Sequence, residues 1–286
     1  MPELPPYLWI LLAAVLGLPV GSFLNVVILR LPARLAWAWR REAHEVLEQE
    51  NDPAEPRPPG LVREPSHCMH CGHRLSPLDN IPLFGWLLLG GRCRYCKTRI
   101  SIQYPLVELL SGIASAVVVW HFGATWAGAA GLVLTWLLIA LAGIDFRTQL
   151  LPDQLTYPLL WLGLLLSLLP LFVDPVRAIA GAAIGYLALW SVYWLFKLAT
   201  GKEGMGYGDF KLLAALGAWM GPMALLPVIL LSSLVGAVIG GLLIALNRHD
   251  RAVPIPFGPF IAMAGWIWFV AGPALWDTYA GLTGLQ

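Results

Sequence analysis

Apolar positions in this chain come in long unbroken runs, at 7–29, 105–121, 125–144, 154–172, 176–198 and 256–276. Most approach the ~20 residues that a bilayer-spanning helix requires. A further run, 212–246, is too long for one helix, and Gly221-Pro222 offers a natural break. It divides into a short segment at 210–221 and a full one at 224–246. The pattern predicts an all-α polytopic membrane protein with about eight transmembrane helices. A re-entrant 210–221, leaving seven spans and a half-helix, is the alternative.

Composition agrees. The chain is 58% hydrophobic and 12% charged, with a mean hydropathy of +0.70, whereas soluble domains carry about 25% charged residues. With eight spans, one side of the membrane receives the 30–103 loop, the 145–153 turn, the 199–209 loop and the 247–255 loop. Those segments, with the residues at their membrane edges, hold every Lys and Arg except Arg177. The positive-inside rule makes that side cytoplasmic and puts both termini outside. A re-entrant 210–221 would place Arg248 and Arg251 outside, which counts against it. The first helix is preceded only by Glu3 and lacks a basic leader and a small-residue cleavage motif, so a retained span is expected.

Residues 31–103 are the only substantial soluble stretch. A helix is expected over 34–50, with basic residues early and acidic ones late, opposite to what its dipole favours. Trp37 and Trp39 are expected near the membrane surface. A proline-rich linker, NDPAEPRPPG, follows, and a compact unit spans 66–100. That unit holds all four cysteines, Cys68, Cys71, Cys93 and Cys96, as two C-x-x-C knuckles separated by 21 residues. Two knuckles at such spacing present four sulfurs to one metal, a structural zinc-ribbon pattern with no open coordination position. A cytoplasmic, reducing location disfavours disulfides. Arg74, Arg92, Arg94, Lys97 and Arg99 surround the site and offset the charge of about −2 on a tetrathiolate zinc centre. His67, His70 and His73 are read as neighbours, not ligands. Gly72 supplies the turn of the first knuckle, and Gly91 and Lys97 bracket the second. The arginines fit the positive-inside bias and anionic lipid. No aromatic–basic interleaving supports nucleic acid, so no nucleic-acid partner is expected.

Two aspartates stand out at membrane helix ends: Asp145 in AGIDFRTQLLPD and Asp209 in GMGYGD. Carboxylates at the edge of the hydrocarbon core are costly and suggest function. If the two meet, they cannot both ionise, and a shared proton creates the acid–base pair of aspartic proteases. The structural alternative is helix capping, or pairing with Arg147 or Lys211. Asp153, after Pro152, is expected to cap the next helix. Gly206 and Gly208 are expected to allow close backbone approach and positive φ. Glu108 is a further intramembrane carboxylate, belonging either to a second activity or to a polar pair. Asn25 is expected to make an interhelical hydrogen bond, worth about 0.6 kcal/mol.

Taken in series, GSFLNVVILRLP (21–32), the C-x-x-C pair around DNIPLFGWLLLGGRCRYC, SIQYPLVELLSG (101–112), IDFRTQLLPDQLTYP (144–158) and GMGYGDFKLLAALGAWMG (204–221) resemble the type IV prepilin leader peptidase/N-methyltransferase family. The resemblance covers nearly the whole chain in the family's order. It implies a bifunctional enzyme of the bacterial inner membrane. Such an enzyme removes the basic leader of type IV prepilins and type II secretion pseudopilins at the cytoplasmic face. It then methylates the new N-terminus with S-adenosylmethionine. The catalytic pair carries over to Asp145 and Asp209, with Asp153 of the LPD element the main rival for the first position. Resemblance points to the 21–30 block and the 78–92 segment for the methyl donor, with no residue assigned. The expected organisation is a first transmembrane helix (1–30), a cytoplasmic loop with the four-cysteine zinc unit (31–103) and a peptidase core of about seven helices (104–286). The competing readings are a peptidase that has lost methylation, against which the intact ribbon speaks, and a non-enzymatic membrane scaffold or carrier.

Overall fold

The computed structural model describes residues 5–48, 55–246 and 255–283. Arg248 and Arg251, on which part of the topology argument rested, and most of the 247–255 loop lie outside the described residues, as do Glu3 and part of the linker. Among the described residues the regular secondary structure is helical, apart from two isolated β-bridges, and most of 55–102 is turn or irregular. Among the described residues, eight helices have 14 residues or more: α1 (Pro6–Val46), α3 (Gln103–Phe122), α4 (Trp126–Thr148), α5 (Asp153–Ser167), α6 (Pro175–Thr200), α7 (Tyr207–Met220), α8 (Leu225–Ala245) and α9 (Gly258–Thr283). A one-turn helix, α2 (Phe84–Leu88), lies in the ribbon segment. Among the described residues, five helical stretches are long and apolar enough to cross a membrane: α1, α3, α4, α6 and Pro222–Leu243.

The chain forms two compact units, residues 1–124 and 125–286. In the first, α1 packs along α3. The contact is built from small residues. A methyl group at Gly17 would stand 2.7 Å from Ser115 Oγ, and one at Gly21 would stand 2.6 Å from the Glu108 Cα. Such close approach gives membrane helices their van der Waals contact, because lipid supplies no hydrophobic drive for association. Asn25 makes the expected interhelical bond, donating from Nδ2 to the Tyr104 carbonyl at 3.1 Å and to Gly21 O at 3.3 Å.

A break between a first span and a separate 34–50 helix does not occur. The helix runs uninterrupted from Pro6 to Val46, through Pro19 and Pro32. Proline removes one intrahelical bond and crowds the preceding turn. Packing against α3 and a strap over residues 58–65 hold the helix through it. Arg30 Nη1 donates to Gly60 O at 2.7 Å and to Glu64 O at 3.0 Å, and Arg34 Nη1 donates to Pro58 O at 3.1 Å. Trp37 is covered by the guanidinium groups of Arg41 and Arg57, at 4.9 and 5.7 Å from its ring.

In the second unit, α7 is the central helix. Residues 209–219 are all buried except Lys211, and α7 packs against α5, α6 and α9. Its 14 residues rise about 21 Å, short of the ~30 Å hydrocarbon thickness. A helix enclosed by other helices need not match that thickness. Gly181 of α6 and Gly217 of α7 lie backbone to backbone, each blocking a side chain on the other. Trp219 fills the far end, donating from Nε1 to Leu159 O at 2.8 Å and packing on Phe172 and Phe269. The break at Gly221-Pro222 is present, with Gly221 at φ +77° and a 3-10 turn over 222–224.

Candidate active site and metal centre

Asp145 lies in the last turn of α4 and Asp209 in the first turn of α7. Both are buried, at 5% and 6% exposure. Asp145 Oδ2 accepts the backbone N–H of Gly258, the first residue of α9, at 3.0 Å. That amide is one of the helix-start donors with no partner inside its own helix, so Asp145 caps α9 from across the unit. Asp209 occupies the third position of α7, where the helix dipole favours negative charge. Its amide donates to Gly206 O at 3.3 Å. Its Oδ1 is buried without a hydrogen-bond partner among the described residues.

Leu151 joins the two places. A methyl group at Gly208 would stand 2.6 Å from Leu151 Cβ, and one at Gly258 would stand 3.1 Å from Leu151 Cδ1 and 2.6 Å from Asp145 Oδ2. The carboxylates are close enough for the charge of Asp145 to act on Asp209. Close approach is therefore the reason for Gly208. Positive φ is not: neither Gly206 nor Gly208 adopts it, and Gly206 has φ −84°.

Neither aspartate pairs with Lys211. That lysine goes to Asp153, at 2.6 Å from Nζ to Oδ1, over the Tyr157 ring at 5.0 Å. Asp153 itself is not the helix cap. Pro152 occupies the cap position and no side chain caps there. Asp153 is the first residue inside α5, half-exposed and neutralised by Lys211. Gly258 and Leu151 escaped the sequence reading. The only signal for the former is a Gly-Pro step of the kind that opens helices.

Glu108 belongs to the first unit. It is buried on α3, and its Oε2 accepts the Leu83 N–H at 2.8 Å, with Leu83 at φ +61° immediately before α2.

The two cysteine knuckles share one construction. Cys68 N–H donates to His73 O at 2.9 Å and Gly72 N–H to Cys68 O at 2.9 Å; Cys93 N–H donates to Thr98 O at 2.9 Å and Lys97 N–H to Cys93 O at 3.1 Å. The residue after each second cysteine is left-handed, Gly72 at φ +69° and Lys97 at φ +58°. The bridges His67–Arg74 and Arg92–Arg99 close the bases. All four sulfurs lie within 4.8 Å of one another, and Cys68 and Cys96 Sγ are 3.7 Å apart. That matches the edge of about 3.8 Å expected for a tetrahedron with 2.3 Å metal–sulfur bonds.

The thiols also behave as a ligand set. The Thr98 hydroxyl and N–H hold Cys96 down at about 5. For Cys71, the His73 N–H pulls the other way, but desolvation and the neighbouring thiols leave it at about 11. A divalent cation would let four thiolates coexist at this separation. Arg94, inside the second knuckle, grips Asp79 with bonds of 2.6, 3.0 and 3.2 Å. The histidines are not among the clustered ligand atoms; His73 instead stacks on Tyr95 with ring centres 3.5 Å apart.

Comparison with known proteins follows the same division. Residues 15–122 match the bacterial peptidase A24 N-terminal domain and residues 132–241 the type IV leader peptidase family. A prepilin leader peptidase/N-methyltransferase of Xanthomonas campestris pv. campestris is 57% identical over 274 residues, covering 96% of this chain and 95% of that one. Proteins of the same name from Stutzerimonas stutzeri and Pseudomonas aeruginosa are 52% and 51% identical, covering 96% and 98% of this chain and 94% and 97% of theirs. No solved structure matches the chain. With more than half of its residues shared along nearly its full length with such a relative, this chain belongs to the type IV prepilin leader peptidase/N-methyltransferase family.

Proposed function

We propose that this chain is a bifunctional enzyme of the bacterial inner membrane. It cleaves the leader of type IV prepilins and type II secretion pseudopilins and then methylates the exposed N-terminus with S-adenosylmethionine. The observation that carries the peptidase half is the buried Asp209 Oδ1, without a partner among the described residues, within reach of the Asp145 charge. A buried polar atom without a partner is rare and calls for an explanation. A reacting water or scissile carbonyl would supply one.

Asp145 and Asp209 act as a dyad. One carboxyl, protonated, hydrogen-bonds the scissile carbonyl and polarises it. The other, ionised, takes a proton from a water, which attacks the carbonyl carbon. The pair titrates as a unit. Collapse of the tetrahedral intermediate returns a proton to the departing amine. The Gly258 N–H fixes Asp145 in orientation, and Gly208 leaves room for Leu151 beneath the site. A prepilin leader is basic and its following helix apolar, so scission belongs at the cytoplasmic boundary, where charge distribution puts the aspartates.

The cysteine cluster is assigned a structural zinc ion. Cys68, Cys71, Cys93 and Cys96 would hold it, and it would contribute folding energy to the ribbon rather than catalysis. Methyl transfer is assigned to the unit of residues 1–124, because the aspartates and the leader-peptidase match both lie beyond it. Purified protein incubated with a synthetic prepilin, with and without S-adenosylmethionine, tests both halves. Cleavage in both samples and labelled methyl transfer only with the donor is expected. Cleavage without methylation would indicate a peptidase alone, and neither activity would indicate a scaffold.

A further inference from the structure

Glu108 is a buried carboxylate that the peptidase does not use. It sits on α3 five residues from the ribbon end, about 7.5 Å along the helix axis. Its partners are the Leu83 N–H at 2.8 Å and the Ser22 hydroxyl of α1. No Lys, Arg or His forms an ion pair with it among the described residues. The charged pair nearest in sequence to Leu83, Asp79 with Arg94, is satisfied internally. An intramembrane carboxylate normally marks a function and a cationic partner.

The close α1–α3 approach is made by Gly17, Gly21 and Gly112, and Asn25 supplies an interhelical bond besides the one between Ser22 and Glu108. The group that Glu108 holds is itself unusual: Leu83 is a non-glycine residue at φ +61° and ψ −53°, the centre of a tight turn closed by the Phe84 N–H on Pro82 O at 2.7 Å. Strained backbone of this kind persists where surrounding structure enforces it and concentrates at functional sites. Directly after Leu83 come Phe84, Leu87 and Leu88, all apolar and exposed. The segment thus sets a carboxylate beside an open apolar face. A primary ammonium at the start of an apolar helix has the complementary chemistry.

We propose that Glu108 is the catalytic residue that receives the new N-terminal ammonium of the cleaved substrate and removes its proton for methyl transfer. This rests on the methyltransferase reading above. An α-ammonium, with a pKa of about 8, has no lone pair at neutral pH. Glu108 accepts one proton, and the freed nitrogen lone pair attacks the methyl carbon of the sulfonium donor. The N–C bond forms as the C–S bond breaks, sulfur leaves as a neutral thioether, and the product is a methylammonium. The proton on Glu108 passes to solvent. No oxidant or reductant is involved.

The test uses full-length protein in detergent, a pre-cleaved peptide with a free N-terminal phenylalanine, and labelled S-adenosylmethionine. Glu108→Gln keeps an oxygen to accept the Leu83 N–H but cannot take a proton. It is expected to slow methyl transfer at pH 7 by about tenfold, since only about one α-amine in ten is unprotonated there without help. Its rate should then climb roughly tenfold per pH unit towards the amine's own pKa, while the wild-type rate stays flatter, because the proton moves within the complex. Glu108→Asp should be slowed but keep the flatter profile. In binding measurements without donor, wild type should prefer the free-amine peptide to its N-acetylated form, and Glu108→Gln should lose that preference.

Methylation by Glu108→Gln at the wild-type rate would overturn the proposal. So would a slow Glu108→Gln with a wild-type pH profile and an intact free-amine preference, since that marks a structural role. Loss of leader cleavage with normal methylation of the pre-cleaved peptide would also overturn it, reassigning Glu108 to the basic leader. Failure of the wild-type protein to methylate at all would instead refute the methyltransferase reading itself.

Discussion

Gly258 donates its backbone N–H to Asp145 Oδ2 at 3.0 Å across 113 residues of chain. One bond serves two ends: it satisfies the start of α9 and fixes a carboxylate at the end of α4. A Cβ at position 258 would lie 2.6 Å from that oxygen and 3.1 Å from its carbon, so the carboxylate would have to move.

Gly258→Ala is therefore expected to impair cleavage by about 10²-fold, the cost typical of a misplacement near 1 Å in a catalytic group. Metal content and methylation of a pre-cleaved peptide should be retained, since both are assigned to the other unit. Wild-type cleavage by this variant would show that the contact does not position the dyad.

Asp145→Asn and Asp209→Asn should each abolish leader cleavage, because an amide can neither act as the base nor share the proton. Asp153→Asn should be mild. Its carboxylate is half-exposed and faces Lys211, and an exposed ion pair contributes at most about 1 kcal/mol. Steady-state cleavage assays on the three variants decide it. An inactive Asp153→Asn beside an active Asp145→Asn would reverse the dyad assignment.

Metal analysis should find about one zinc per chain for a closed site of four thiolates. Cys71→Ser should lose the metal and reduce the abundance of the protein, because metal binding and folding of such units are coupled. Arg94→Ala should make the metal easier to strip with a chelator, since it releases Asp79 from the second knuckle. The Arg94 hydrogen bond holds the Asp79 carboxyl below its usual range. The stability it contributes is thus present above the unfolded value of about 3.9 and fades as pH falls through the depressed folded value. The difference between wild type and Arg94→Ala in a urea melt should be constant near neutrality and shrink below about pH 4.

On the charge asymmetry we propose a cytoplasmic 31–103 loop. A cysteine introduced at Glu55 should react with a membrane-impermeant maleimide only after cells are opened. Periplasmic reporter enzymes fused after Ala124 and after Asp174 should be active. Labelling at position 55 in intact cells would invert the orientation.

The sequence by itself determined the helical membrane class, the break at Gly221-Pro222, the cysteine pattern and the two aspartates. Each of these is a local property: apolar run length, a helix-breaking dipeptide, ligand spacing, a charge where charge is costly. It also anticipated the interhelical role of Asn25, since a polar group on an apolar helix must find a partner. Tertiary structure decided what local rules could not. Pro32 does not end α1, because packing on α3 and the Arg30 and Arg34 strap outweigh a single lost bond. Asp153 does not cap α5, because Pro152 holds the cap position and Asp153, already inside the helix, meets Lys211 from 58 residues away. The short α7 needs no bilayer length, because other helices enclose it. The link from Asp145 to Gly258 and the lone oxygen of Asp209 depend on elements far apart in the chain. Such relationships arise only when helices pack, because periodicity within one segment carries no record of which distant backbone group it will meet.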